Sequence, residues 1–176
     1  MTTFDVHVVR EFDAPVERVW RAWTEPEDLR AWWGPQGFTG TRAEADVRAG
    51  GRILVTMRAP DEWGGFEQHS RWDITEASAP HRLRYVFRFA DAEGRAITPA
   101  DAGIPAGVPE SSEHEVVITE LADRRARLEM TEHGYATAEA RDLSRTGLEQ
   151  CLDKMAALVA DGGADPATRQ SASRSA

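Results

Sequence analysis

Apolar and polar residues alternate at the start of the chain, then fall into a helical period, then alternate again. Phe4, Val6, Val8 and Phe12 share parity within FDVHVVREFD (4–13), which predicts a half-buried first strand. Asp13-Ala14-Pro15 turns the chain, and Pro suits the first turn of a helix. Val16, Val19, Trp20 and Trp23 have helical spacing, predicting a short amphipathic helix over 15–23. Thr24-Glu25-Pro26 restarts the helix, and Gly34-Pro35 stops a second short one over 27–33.

Beyond Gly37 the period is two. Strands are predicted over 41–47 and 52–59, joined at Ala49-Gly50-Gly51, with Ile53, Val55 and Met57 on one face. Further strands follow at 66–77 and 83–89, the second alternating Leu83, Tyr85, Phe87 and Phe89 against Arg84, Val86 and Arg88. The segment 90–110 is rich in Gly and Pro and reads as one long loop, a length that goes with function or mobility in compact domains. Strands at 112–121 and 125–134 form a hairpin whose inward face carries Leu128 and Met130. Over 138–160, Leu148, Cys151, Leu152, Met155, Leu158 and Val159 form a single apolar stripe on one long helix. The Gly-, Ala- and Ser-rich end, 161–176, is expected to be a disordered tail after a domain covering 1–160.

The order is strand, two short helices, five or six strands, long helix. Successive hairpins make the sheet antiparallel, and a lone long helix can bury its stripe only on one face of it. The fold class is α+β.

Composition narrows the partners. The 176 residues suit one domain, and 41 % apolar residues suffice for a core. A formal net charge of −9 repels phosphate backbones and anionic lipid, so neither nucleic acid nor a membrane is an expected partner. Cys151 has no second cysteine to pair with. No basic-then-apolar leader opens the sequence and no run approaches the ~20 apolar residues of a membrane span, so a cytoplasmic location is expected. The basic residues are nearly all Arg, with Lys154 the sole Lys, pointing to a GC-rich bacterial source.

FDAPVERVWRAWTEPEDLRAWWGPQGF (12–38) resembles the opening signature of the family named after the activator of the ninety-kilodalton heat-shock-protein ATPase. RAGGRI (48–53), APHRLRYVF (79–87) and GLEQCLDKMAALV (147–159) resemble its later segments, in the right order. The resemblance implies the START/SRPBCC superfamily and the helix-grip fold of the birch pollen allergen. In that fold a curved antiparallel sheet of about six or seven strands holds two short helices and, on its concave face, the long C-terminal helix. The superfamily includes lipid carriers, hormone receptors, polyketide cyclases and an antibiotic-resistance protein, so function must be argued from the site.

Large aromatics around a cavity can hold a ligand by burial and stacking, or simply pack the core. Trp20 and Trp23 share a helical face with Val16 and Val19 and are expected to dock the helices. Trp32 and Trp33 point ~100° apart, so one can be core while the other faces a cavity. The stripe on the long helix either roofs a cavity or closes a solid core, and Gly147 leaves space there. The expected wall of such a cavity is Trp32, Trp33, Phe38, Met57, Phe66, Trp72, Tyr85, Phe87, Met130, Leu148, Leu152 and Met155. His69 and His133 are the candidate polar site, as acid and base, against the alternative of a solvated sheet face. The 90–110 loop is a candidate lid or subunit contact.

No H-E-x-x-H, C-x-x-C, G-x-S-x-G or phosphate-binding glycine loop is present, so neither metal nor cofactor is expected. Three functions remain open: binding of a small apolar molecule between sheet and helix; a cyclase, hydratase or hydrolase in the same cavity; and a co-chaperone-type interaction module. A second copy of the chain is a further candidate partner.

Overall fold

The structure, a computed structural model, describes residues 2–161. Among them the elements run β1 (Phe4–Phe12), α1 (Val16–Thr24), α2 (Pro26–Trp32), β2 (Thr39–Ala45), β3 (Arg52–Arg58), β4 (Glu67–Ser78), β5 (Arg82–Ala90), β6 (Ser112–Leu121), β7 (Arg125–Tyr135) and α3 (Ala138–Asp161). Apart from Asp161, the tail expected at 161–176 lies outside the described residues. None of the described helices is long and apolar enough to cross a membrane.

The seven strands form one antiparallel sheet in the order β1-β7-β6-β5-β4-β3-β2. This is the α+β, helix-grip arrangement. The first two strands are its opposite edges, so α1 and α2 carry the chain across the width of the sheet. β2 begins and ends earlier than its pattern predicts. The reason lies in the turn: Asp46 N–H donates to the Arg52 carbonyl and Gly51 N–H to that of Arg48, which closes the hairpin before Val47.

The inner face is set by parity. Val6, Val8 and Phe12 of β1 are buried, as are Leu128 and Met130 of β7, Val116 and Ile118 of β6, and Leu83 and Tyr85 of β5. Trp72 and Ile74 of β4 and Ile53 and Val55 of β3 complete it. On the helix side, Ala140, Leu148, Cys151, Leu152, Met155 and Val159 are the buried positions of α3. The helix packs mainly against β1 and α2, and Arg10 of β1 reaches Asp153 of α3 at 2.7 Å.

The short helices close one end through aromatic packing. Trp23, Trp32 and Trp72 are fully buried, with ring centroids 4.8 Å apart for Trp23–Trp32 and 4.7 Å for Trp33–Trp72. Trp32 Nε1 donates to the Ala22 carbonyl at 2.6 Å, so its one polar atom is satisfied inside the core. The Arg18 guanidinium meets the Asp28 carboxylate at 2.7 Å and ties α1 to α2. From α3, Lys154 Nζ donates to the carbonyls of Gly34 (2.9 Å) and Phe38 (3.1 Å) beyond α2. Burial holds its pKa below the ordinary 10.5.

Two glycines mark opposite packing regimes. A Cβ at Gly40 would run into the backbone carbonyl of Arg30, because α2 lies directly on β2 there. A Cβ at Gly147, mid-α3, would meet nothing within 4 Å. Gly40→Ala is therefore expected to destabilise the fold by ~1–3 kcal/mol through overpacking. Gly147→Ala should stabilise it by ~1 kcal/mol through helix propensity. Urea unfolding midpoints that move in the same direction would contradict this contrast.

Candidate functional site

A cavity of about 250 Å³ lies between α3 and the inner face of the sheet. Its sheet wall runs from Met57 on β3 through Gln68, Phe87 and Ser112 to His114 on β6 and Glu132 on β7. Laid flat, β3 and β7 would stand ~19 Å apart. Their meeting around one small cavity shows how strongly the sheet curves. Irregular register in β4 between Ile74 and Glu76, and in β2 between Gly40 and Arg42, contributes the bending expected of bulges.

The helix wall is Ala140, Ser144, Gly147, Leu148 and Cys151, one face of α3 at helical spacing. Trp33, Gly34 and Pro35 close the end beside α2. Ile104, Pro105, Val108 and Pro109 of the long loop close the other. That loop is pinned where Ala136 N–H donates to the Gly107 carbonyl at 2.8 Å. Leu143, 61 % exposed, marks the mouth.

One part of the wall is polar, and a bulge creates it. Glu132 and Tyr135 are three residues apart and would face opposite sides of a regular strand. The register slips between Phe4/Tyr135 and Val6/Glu132, with Gly134 at φ 95, and both side chains turn inward. Asp5 holds the slip: it accepts from Gly134 N–H at 3.1 Å and meets His133 Nδ1 at 2.9 Å. Partial burial alone would raise the Asp5 carboxyl, but the Gly134 N–H and His133 outweigh it and hold it below 3.8. The Tyr135 hydroxyl then donates to Glu132 Oε2 at 2.6 Å, as does the Ser144 hydroxyl of α3 at 2.9 Å.

His114 lies directly across from Glu132 in the β6–β7 register and across from Tyr85 in the β5–β6 register. It is 5 % exposed. Its ring stacks on Phe87 at 5.2 Å and 6°. Its Nδ1 is 3.3 Å from the Tyr85 hydroxyl, and its Nε2 is buried with no hydrogen-bond partner among the described residues. Tyr85 in turn stacks on Trp72 at 4.8 Å and 13°.

Of the aromatic and aliphatic positions anticipated from the sequence, Trp33, Met57, Phe87 and Leu148 border the cavity. Trp32, Trp72, Tyr85, Met130, Leu152 and Met155 are packed into the core around it, each 0–1 % exposed. Phe38 and Phe66 pack on each other and, through Phe38, on Trp63 at the β3–β4 end, outside the cavity wall. His69 and His133 do not converge. His69 bonds Thr56 at 2.8 Å, away from the cavity, and His133 is exposed beside Asp5. The polar residues that do converge are His114, Glu132, Tyr135 and Ser144. The signal for two of them was parity: His114 alternates in step with Val116 and Ile118, and Glu132 with Leu128 and Met130. Among the described residues no group of His, Cys, Asp and Glu is arranged to hold a metal ion.

Residues 13–160 match the family model described as Activator of Hsp90 ATPase homolog 1-like protein. No curated protein matches the chain. Among solved structures, protein CV1439 from Chromobacterium violaceum is similar at 28 % identity and TM-score 0.71, over 88 % of this chain and 96 % of that one. Protein Ms6760 from Mycobacterium smegmatis is similar at 26 % identity and TM-score 0.68, over 90 % and 96 %. A protein from Silicibacter pomeroyi at 19 % identity and TM-score 0.70, over 89 % and 98 %, shares the fold.

Burial disfavours the charged forms of His114, Cys151, Tyr85 and Tyr135 in and beside the cavity. Desolvation keeps the His114 imidazole below its ordinary 6.5, although Glu132 opposes the shift. Burial pushes the Cys151 thiol up to about 11 and lifts the Tyr85 and Tyr135 phenols well above their usual range. As pH falls through 6.5 the unfolded chain takes up the His114 proton first. Stability that is full above 6.5 is therefore lost as pH drops toward the lower folded value, by at most about 1.4 kcal/mol per pH unit for one group. His114→Phe should flatten the unfolding free energy between pH 6.5 and 5 relative to wild type; an unchanged slope would contradict the assignment. Cys151 should resist a disulfide reagent at pH 8 in the native protein and react on denaturation. Rapid native labelling would show that the thiol is not held as described.

Proposed function

We propose that this chain, which belongs to the Activator of Hsp90 ATPase homolog 1-like family, binds a small and mainly apolar molecule between its sheet and α3. The observation that carries this reading is the cavity of about 250 Å³, walled by Trp33, Met57, Phe87, Leu148 and the loop residues Ile104 and Val108. A dry apolar cavity of about 150 Å³ is enough to take up benzene in another protein. The space here suits a larger, bicyclic guest. Burial of apolar guest surface at ~25 cal/mol per Å² supplies the affinity, and the preformed walls reduce the ordering cost.

A second reading, catalysis of the cyclase, hydratase or hydrolase kind, is favoured by one observation. His114, Glu132, Tyr135 and Ser144 meet at the same cavity, and convergent polar groups in a buried pocket are what acid–base chemistry requires.

Gly147 offers a direct test, because it lines the cavity and a Cβ added there meets open space. Tetralin, a bicyclic hydrocarbon, serves as the probe. Wild-type protein should bind it, and Gly147→Leu should lose at least about tenfold in affinity while its melting temperature holds or rises. Tetralin binding that is indifferent to Leu at this position would place the guest elsewhere and end the proposal.

A further inference from the structure

The polar end of the cavity has a definite hydrogen-bonding sense, which narrows the guest beyond mere apolarity. Tyr85 is fully buried and its hydroxyl has one partner, His114 Nδ1. If Nδ1 carried the proton, the Tyr85 O–H would be left without an acceptor. Donation from Tyr85 to Nδ1 satisfies both groups and puts the imidazole proton on Nε2. That Nε2–H is the group with no partner. The ring cannot turn to find one without breaking its stack on Phe87 and its contact with Tyr85.

The neighbouring polar groups are already committed. The Ser112 hydroxyl donates to the His133 carbonyl at 2.6 Å. The Tyr135 and Ser144 hydroxyls are turned to Glu132 Oε2. An acidic residue therefore stands beside the unpartnered His114 donor, and no Lys or Arg borders the cavity. This disfavours an anionic head group, such as a fatty-acid carboxylate or a phosphate. A cationic one would face the imidazole N–H. A neutral acceptor oxygen meets neither objection.

Resting on the cavity reading above, we propose that His114 and Glu132 form a recognition site for a neutral carbonyl compound, with the carbonyl oxygen accepting from His114 Nε2–H. Ketones, aldehydes and esters on a compact apolar skeleton are the ligand class. His114 acts as the specificity-determining donor, and Glu132 screens out anions.

The test compares 1-tetralone with tetralin, which share a ring skeleton and differ by the carbonyl. Wild-type protein should bind the ketone about tenfold more tightly than the hydrocarbon. His114→Phe keeps the aromatic ring and removes the donor, so it should bring the ratio of 1-tetralone to tetralin affinity from about ten to about one. Equal wild-type affinities, or a ketone preference that survives His114→Phe, would overturn the assignment while leaving the cavity reading intact. Failure of both compounds to bind wild type would overturn both readings. The His114 Nε2–H resonance of wild-type protein provides a readout independent of the variant's folding. It should shift with 1-tetralone and not with tetralin, and a resonance indifferent to the ketone would count against the proposal.

Discussion

A single helix cannot cover a seven-stranded sheet, and the architecture follows from that mismatch. The 24 residues of α3 give it ample length, but an α-helix with its side chains is only ~10–12 Å across. Seven strands at ~4.8 Å spacing span ~29 Å. The inner face is mainly apolar, so every part not under α3 needs another cover. Curvature solves some of this, since bending brings β3 toward β7 and narrows the face. The crossover from β1 to β2 solves more, because α1 and α2 must traverse the sheet in any case and can shield it as they go.

The two ends are covered by different means. Beside α1 and α2 the cover is made of large rings, with Trp23, Trp32 and Trp72 fully buried and Trp33 completing the cluster. At the other end it is the loop between β5 and β6, which contributes Ile104 and Val108 and is fastened at Gly107. Between these covers α3 presents the small residues Ala140, Ser144 and Gly147, of which Ser144 meets the sheet only at the polar corner, through its hydroxyl on Glu132. The cavity is the volume that none of the three covers fills, and a helix rich in larger residues here would close it.

Much of this was legible in the chain. Parity alone gave the inner face of most strands, and the stripe from Leu148 to Val159 gave the face of α3. The adjacent pair Trp32-Trp33 points two ways, Trp32 into the core and Trp33 to the cavity, because the helical period fixes the angle between neighbours. What escaped was the polar corner. His69 and His133 drew notice as histidines on strands, yet both sit on the outward parity. His114 and Glu132 sit on the inward one, in step with obvious core residues. Tyr135 was harder still, since a separation of three from Glu132 implies opposite faces until the bulge at Gly134 is known. That bulge depends on Asp5, 129 residues away in the chain, which no local pattern reveals.

The polar corner also makes sense of where the core tolerates imperfection. Four buried side-chain nitrogens lack a hydrogen-bond partner among the described residues: Trp23 Nε1, Arg82 Nε, His114 Nε2 and Arg127 Nε. The two arginines have other guanidinium nitrogens engaged with Glu115 and Glu129, so each is already held by its partner. Trp23 is a packing ring wholly within the aromatic cluster. His114 is the one of the four that borders the cavity. A buried donor left without an acceptor costs about 1–3 kcal/mol. A phenylalanine could stack on Phe87 in its place without that cost. Of the places where such a donor could sit, this one alone among the four lies within reach of a guest. On the proposed reading, the same position both costs stability and supplies selectivity for a guest.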